Sequence, residues 1–109
     1  MTINKMAEAL SLRPLAVPEG ERACSGVYIG DLLSWVMGRA QSGNVWITIM
    51  SNINIVAVAS LTDVSCIVLA EGVVPEEDVV RTAEQKGINL FCAKEPAYEL
   101  AVRLNGLGI

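Results

Sequence analysis

Three apolar runs fill the middle of the chain: VWITIM, IVAVASLTD and VSCIVLAEG, the first two separated by the polar break SNIN. Short apolar runs bounded by polar or turn residues fit buried strands, and the pattern over Val45–Gly72 predicts strand, loop, buried helix, strand. The helix opposes local propensity, because Ile53, Ile55, Val56 and Val58 are β-branched. Two considerations decide for it. A parallel neighbour of VWITIM needs a crossover of about a dozen residues, usually helical. A hairpin at Ser51-Asn52 would instead want a glycine, and none is there. The result is one βαβ unit in the middle of a parallel sheet.

The flanks repeat the rhythm. Thr2 is placed to cap a helix over NKMAEAL, with Ile3, Met6 and Leu10 at helical spacing. Arg13-Pro14 ends it, LAV forms a first strand, PEGERACSG is a turn-rich connector and GVYI a second strand. Asp31 is expected to cap the next helix, whose apolar stripe is Leu32, Leu33, Val36, Met37 and Ala40, and Gly43-Asn44 closes it. Ser51 or Asn52 should cap the central helix. After Glu71-Gly72, Pro75 opens a helix with Glu76, Glu77 and Asp78 at its positive end, Lys86 near its negative end and Gly87 as its C-cap. Glu77 and Arg81 form an i,i+4 pair. INLFC is the last strand, and Glu95-Pro96 begins a closing helix with Ala97, Leu100, Ala101 and Leu104 inward. Strands alternating with helices in this way predict a mainly parallel sheet with helices on both faces. Residues 1–109 are read as a single domain, 1–11 as an N-terminal helix and 12–109 as the α/β core.

Composition narrows the functions. Apolar residues make up 52% of 109, enough for one core, and with five aromatics aliphatic side chains must fill most of it. A net charge of −4 without any Lys/Arg cluster argues against nucleic acid or an anionic membrane as partner. No histidine is present, which excludes imidazole-based triads and His-ligated metal sites within the chain. Cys24, Cys66 and Cys92 are scattered without a C-x-x-C pair, a pattern that fits a reduced, cytoplasmic protein, and no export signal is visible. The stretch Ile53–Ala70 is long enough to suggest a membrane span, but Asp63 would cost about 2.5–3.5 kcal/mol there. A buried helix followed by a buried strand explains the same residues without that cost.

Several phrases in this order carry a family resemblance: GVYIGDLLSWVMGRAQSGNVWITI, NIVAVASLTDVSCIVLAEGVVPEEDVV and AEQKGINLFCAKEPAYELAVRL. They resemble the DRTGG-domain family, related to the N-terminal domain of the HPr kinase/phosphorylase, from about Leu12 to the C-terminus. The resemblance implies a three-layer α/β/α sandwich with a mainly parallel sheet and a regulatory role. The letters DRTGG do not occur; Ser51, Asn52, Ile53 and Asn54 stand where related domains carry a charged pair, and Glu71-Gly72 where others carry two glycines. The kinase activity needs a P-loop, G-x-x-x-x-G-K-[ST], and the chain has no G-K-S or G-K-T. The similarity therefore implies the regulatory domain without the kinase, and no enzyme.

Ligands of parallel α/β sheets sit at the carboxyl ends of the strands. The candidate ligand-binding residues are accordingly Asp31, Ser51, Asn52, Asn54, Glu71, Gly72 and Lys94, for a small anionic metabolite or nucleotide. Capping alone would also explain Asp31, Ser51 and Asn52. Asp31 with Glu71 could form a carboxylate pair for acid–base work or, with water, hold Mg²⁺, and Cys92 could be a reactive thiol; with no imidazole nearby, an inert buried thiol is the better reading. No catalytic residue, metal or cofactor is assigned. Trp35, off the main stripe and one turn before Arg39, marks a candidate subunit contact. The reading is a non-catalytic regulatory or ligand-sensing module acting as a homodimer. The alternatives are an interaction module docking on a larger protein and, third, a small enzyme using Asp31, Glu71 or Cys92.

Overall fold

In the computed structural model, which describes residues 1–109, the Thr2 hydroxyl accepts from the Lys5 amide and starts α1 (Ile3–Leu10), buried along Ile3, Met6, Ala7 and Leu10. Ser11, at φ 53, ends it in the left-handed region. The chain is extended again by Arg13, so β1 (Arg13–Ala16) takes in the Arg-Pro pair expected to lie outside the strand. Pro14 is tolerated because β1 is an edge strand with a register irregularity between Pro14 and Ala16.

The remaining elements are β2 (Val27–Ile29), α2 (Leu33–Arg39), β3 (Val45–Thr48), α3 (Asn54–Thr62), β4 (Cys66–Leu69), α4 (Glu77–Lys86), β5 (Leu90–Cys92) and α5 (Ala97–Gly106). The five strands form a mixed sheet in the order β1-β5-β4-β3-β2. β3 and β4 run parallel in register, Trp46 beside Ile67, with α3 as the crossover. β2–β3 and β4–β5 are parallel as well, whereas β1 joins β5 antiparallel.

Alternate residues of the strands feed two separate clusters. Trp46, Ile67, Leu69 and Leu90 pack with Val36 of α2, Ile55, Val56, Val58 and Ala59 of α3, and Val79 and Ala83 of α4. Val45, Ile47, Cys66, Val68 and Phe91 pack with Ile3, Met6 and Leu10 of α1 and Leu100 and Leu104 of α5. The division has a physical reason. The crossovers β2-α2-β3, β3-α3-β4 and β4-α4-β5 all step the same way along the sheet. The right-handed preference of such connections sends all three helices to one face. The other face would be bare without α1 and α5.

Burial also explains why β-branched residues accept a helix in α3. Each propensity loss is roughly 0.5–0.7 kcal/mol, while burying a Val or Ile contributes about 1.5–3 kcal/mol. Ile55, Val56 and Val58 are at most 5% exposed.

The expected stripe of α2 is a correction. Only Val36 is fully buried; Leu32 and Met37 are 59% and 50% exposed. The helix has seven residues, follows the edge strand β2 and has α3 as its main neighbour, so one side of it alone is covered.

Because β1 and β2 are opposite edges, the connector 17–26 crosses the amino ends of the other strands. Buried Asn89 pins it: its Oδ1 accepts from the Glu19 amide (2.9 Å), and its Nδ2 donates to the carbonyls of Glu19 (2.9 Å) and Ser65 (3.0 Å). Further along, the Arg22 guanidinium donates to the Asp63 carbonyl (2.7 Å) and pairs with its carboxylate (3.0 Å). Asp63 ends α3 at φ 59. The Ser42 hydroxyl, and after it the Arg22 charge, hold the Asp63 carboxyl below the usual aspartate range. A depressed folded pKa adds stability that is complete above the unfolded value of about 3.9 and is lost as pH falls through the folded value. Asp63→Asn tolerates the left-handed backbone and removes the charge. The variant is expected to lose under about 1 kcal/mol at neutral pH, since the Asp63 side chain is 60% exposed. Urea unfolding of both proteins should converge as the medium becomes strongly acidic; a gap that persists there would contradict the assignment.

Candidate functional site

The carboxyl ends of β2 to β5 reach one rim of the sheet. Since β1 is antiparallel and Arg13 lies opposite Cys92, the start of β1 reaches the same rim. Along it the expected residues stand in the strand order, and they divide into two groups.

At the β2–β3 end, Asp31 does not cap α2, whose N-cap is Leu32 without a side-chain hydrogen bond. Its Oδ1 accepts instead from the Thr48 hydroxyl (2.8 Å) and the Ile49 amide (2.9 Å), and Trp46 Nε1 donates to the Gly30 carbonyl (3.0 Å). Asp31 thus ties the end of β2 to the end of β3. A carboxylate with a buried hydroxyl and an amide within reach satisfies them more strongly than it would satisfy the frayed start of a short exposed helix. The N-cap of α3 is Ile53, without a side-chain hydrogen bond; Asn52, expected as the cap, stands one residue earlier, where its Oδ1 accepts from the Asn54 amide (2.9 Å). The amides of Ser51, Asn52 and Ile53 make no hydrogen bond within the chain. Glu71 and Gly72 follow β4, both with positive φ (62 and 75). Their amides are occupied, donating to the carbonyls of Glu95 (3.0 Å) and Ala93 (2.8 Å).

Two expected juxtapositions fail on the strand order. Asp31 and Glu71 leave strands separated by β3, about 10 Å by ordinary strand spacing, so they do not share a proton or an ion directly. Lys94 follows β5 and is separated from the Ser51–Asn54 loop by β4. No group of three metal-ligating side chains comes together. The cysteines are all free and buried, and burial pushes the Cys66 and Cys24 thiols upward, away from the reactive thiolate.

Lys94 instead lines a cleft of about 420 Å³ with Gly72, Val74, Cys92, Glu95 and Arg13. Its position follows from the topology. The chain leaving β4 turns to α4 on one face, and the chain leaving β5 turns to α5 on the other. Adjacent connections that part to opposite faces mark the switch point at which open α/β sheets take ligands. Here the two segments are first tied together by the Glu71 and Gly72 amides, and the cleft lies beside them, towards the start of β1. Every other neighbouring pair of parallel strands here sends its connections to the same face. Arg13 belongs to this cleft only because β1 is antiparallel at the far edge, and the sequence reading missed it; the Arg-Pro pair, a mark of an edge strand, was the available signal.

Electrostatically the cleft stands out from a chain of net charge −4. The ion pairs of the chain are Arg22–Asp63, Arg81–Glu77 and Arg103–Glu95, so neither Arg13 nor Lys94 has a carboxylate partner. Glu95, the acid on the cleft wall, lies 3.6 Å from Arg103.

Away from the rim, the Arg39 guanidinium stacks 3.9 Å from the Trp35 ring centre, and Trp35 is 54% exposed.

No protein-family model matches the chain, and no curated protein matches it in sequence. Among solved structures, its fold is similar to that of the CBS and DRTGG domains of the regulatory region of Clostridium perfringens pyrophosphatase, crystallised with the activator diadenosine tetraphosphate. The TM-score is 0.73 at 14% identity, over 94% of this chain and 45% of that one. The chain therefore spans about half the length of that regulatory region, and at this identity the likeness is one of fold.

Proposed function

We propose that this protein is a non-catalytic, ligand-sensing regulatory module that works as a homodimer in the cytoplasm, similar to the regulatory domain of HPr kinase without its kinase domain. The observation that carries the reading is the switch-point cleft at the carboxyl rim, basic within an acidic chain. Its fold is shared with a regulatory region that was crystallised with a nucleotide activator, which supports sensing of a nucleotide or acidic metabolite. Asp31, Asn52 and Asn54 then serve to shape the rim, while Gly72 and Lys94 meet the ligand.

A calorimetric screen of nucleotides and acidic metabolites tests the sensing half. A ligand at a hundred times its dissociation constant should stabilise the fold by about 2.7 kcal/mol, a clear rise in melting temperature. A screen in which no compound moves the transition would remove the support for sensing. For the dimer, the expected result is sedimentation at twice 11.6 kDa at micromolar concentration. Monomeric sedimentation there would sink it.

The second reading, an interaction module docking on a larger enzyme or regulator, is favoured by one observation: Leu32, Trp35 and Met37 are all at least half exposed at the α2 edge. Capture of a stable partner that is lost in Trp35→Ala, with no response to small molecules, would establish it over sensing.

A further inference from the structure

The geometry points to the cleft at the end of β5, bounded by the start of β1 and the segment after β4, as a binding site for a compact phosphate-bearing small molecule, held jointly by Arg13 and Lys94. This rests on the sensing reading above and names the place and chemistry of the ligand. Four observations converge. The cleft lies at the carboxyl rim beside the place where connections part to opposite faces of the sheet, bounded by the start of β1, the end of β5 and the segment after β4. Two cations on its wall have no ion-pair partner in the chain, and the one acid beside them is already paired. The amides of Lys94 and Glu95 also make no hydrogen bond within the chain, so two further donors stand in the same segment. The volume, about 420 Å³, falls toward the small end of ligand sites, which run from about 300 to 1,000 Å³.

The charge decides the class. A chain of net charge −4 repels anions at long range, so capture must rest on local groups. A monocarboxylate would be neutralised by one cation and leave the second unpaired. A phosphate monoester, with about two charges and three acceptor oxygens, matches an Arg fork and a Lys point charge together. Val74 and Ala93 give the cleft an apolar side against which a base or a carbon skeleton can rest. A dinucleoside polyphosphate exceeds the space; a mononucleotide or a smaller phosphorylated metabolite fits it.

The test is an amide-resolved NMR titration of the whole chain with inorganic phosphate and, separately, with adenosine monophosphate. Saturable shifts are expected at Gly72, Lys94 and Glu95. Arg13→Gln and Lys94→Gln should each weaken binding about ten-fold or more, the effect of one charge-assisted hydrogen bond. Both side chains are exposed and unpaired, so melting temperature and spectral dispersion should stay at wild-type values. Saturable shifts confined to Ser51–Ile53 would overturn the cleft assignment and leave sensing standing, as would full-strength binding in both variants. Stabilisation by an unphosphorylated acid with no response to either phosphate probe would overturn the ligand class alone. Silence to every compound in this titration and in the calorimetric screen would overturn both readings.

Discussion

Trp46→Ala is expected to cost about 3–5 kcal/mol, a large part of the roughly 5–15 kcal/mol that a domain of ordinary stability has in all. Trp46 is fully buried at the centre of β3, among the side chains of the α2–α4 face. Alanine leaves a cavity that close-packed neighbours cannot fill, and it removes the indole N–H from the Gly30 carbonyl, 3.0 Å away. Two effects therefore fall on one site: lost packing under α3 and a loosened joint between β2 and β3. Trp46→Phe keeps most of the bulk and should fall between, its residual loss combining the smaller ring with the orphaned carbonyl. Urea unfolding followed by far-ultraviolet circular dichroism gives both values. A loss under 1 kcal/mol for alanine would mean that the residue is not where the packing places it.

Asn89→Ala should come next, at about 3 kcal/mol. The side chain is 1% exposed, and its removal leaves the Glu19 amide and the Ser65 carbonyl without partners, while the Glu19 carbonyl keeps the Arg22 amide (3.1 Å). Each unsatisfied buried group costs about 1–3 kcal/mol, and part of this is recovered where water can enter beside Glu19. The loss should also have a location. Hydrogen exchange of the Glu19 amide is expected to accelerate well beyond the change in global stability, because this amide loses its acceptor outright. Uniform acceleration across the sheet would argue that Asn89 is only one core residue among others.

The two results bear on what could be read from the residues alone. Trp46 was legible as part of a buried strand, since VWIT is apolar on both faces and its parallel neighbour CIVL is too. The β-branched α3 was legible from the crossover that parallel strands require. Asn89, by contrast, sits in INLFC as a polar residue without pattern, and its three partners lie 24 and 70 positions away. Asp31 was misread for a related reason. An aspartate before a helix looks like a cap, and nothing local reveals Thr48 at 2.8 Å. Most of the rim was legible, because it consists of whatever follows each strand. Its division was not, since that depends on strand order, and strand order is decided by long-range packing that leaves no local periodicity. The antiparallel seat of β1 is the same kind of fact, and it brings Arg13 to Lys94.

That seat also sets a schedule for synthesis. β1 finds its only partner in β5, and the connector that follows it is fastened by Asn89. As the polypeptide emerges from a ribosome at about 5–20 residues per second, the leading segment must wait some seconds for its mate. Meanwhile β2, β3 and β4 can assemble with α2 and α3. The clasp therefore closes late, with only α5 still to dock, and a nascent chain arrested before Leu90 should carry β1 as a loose, protease-sensitive segment.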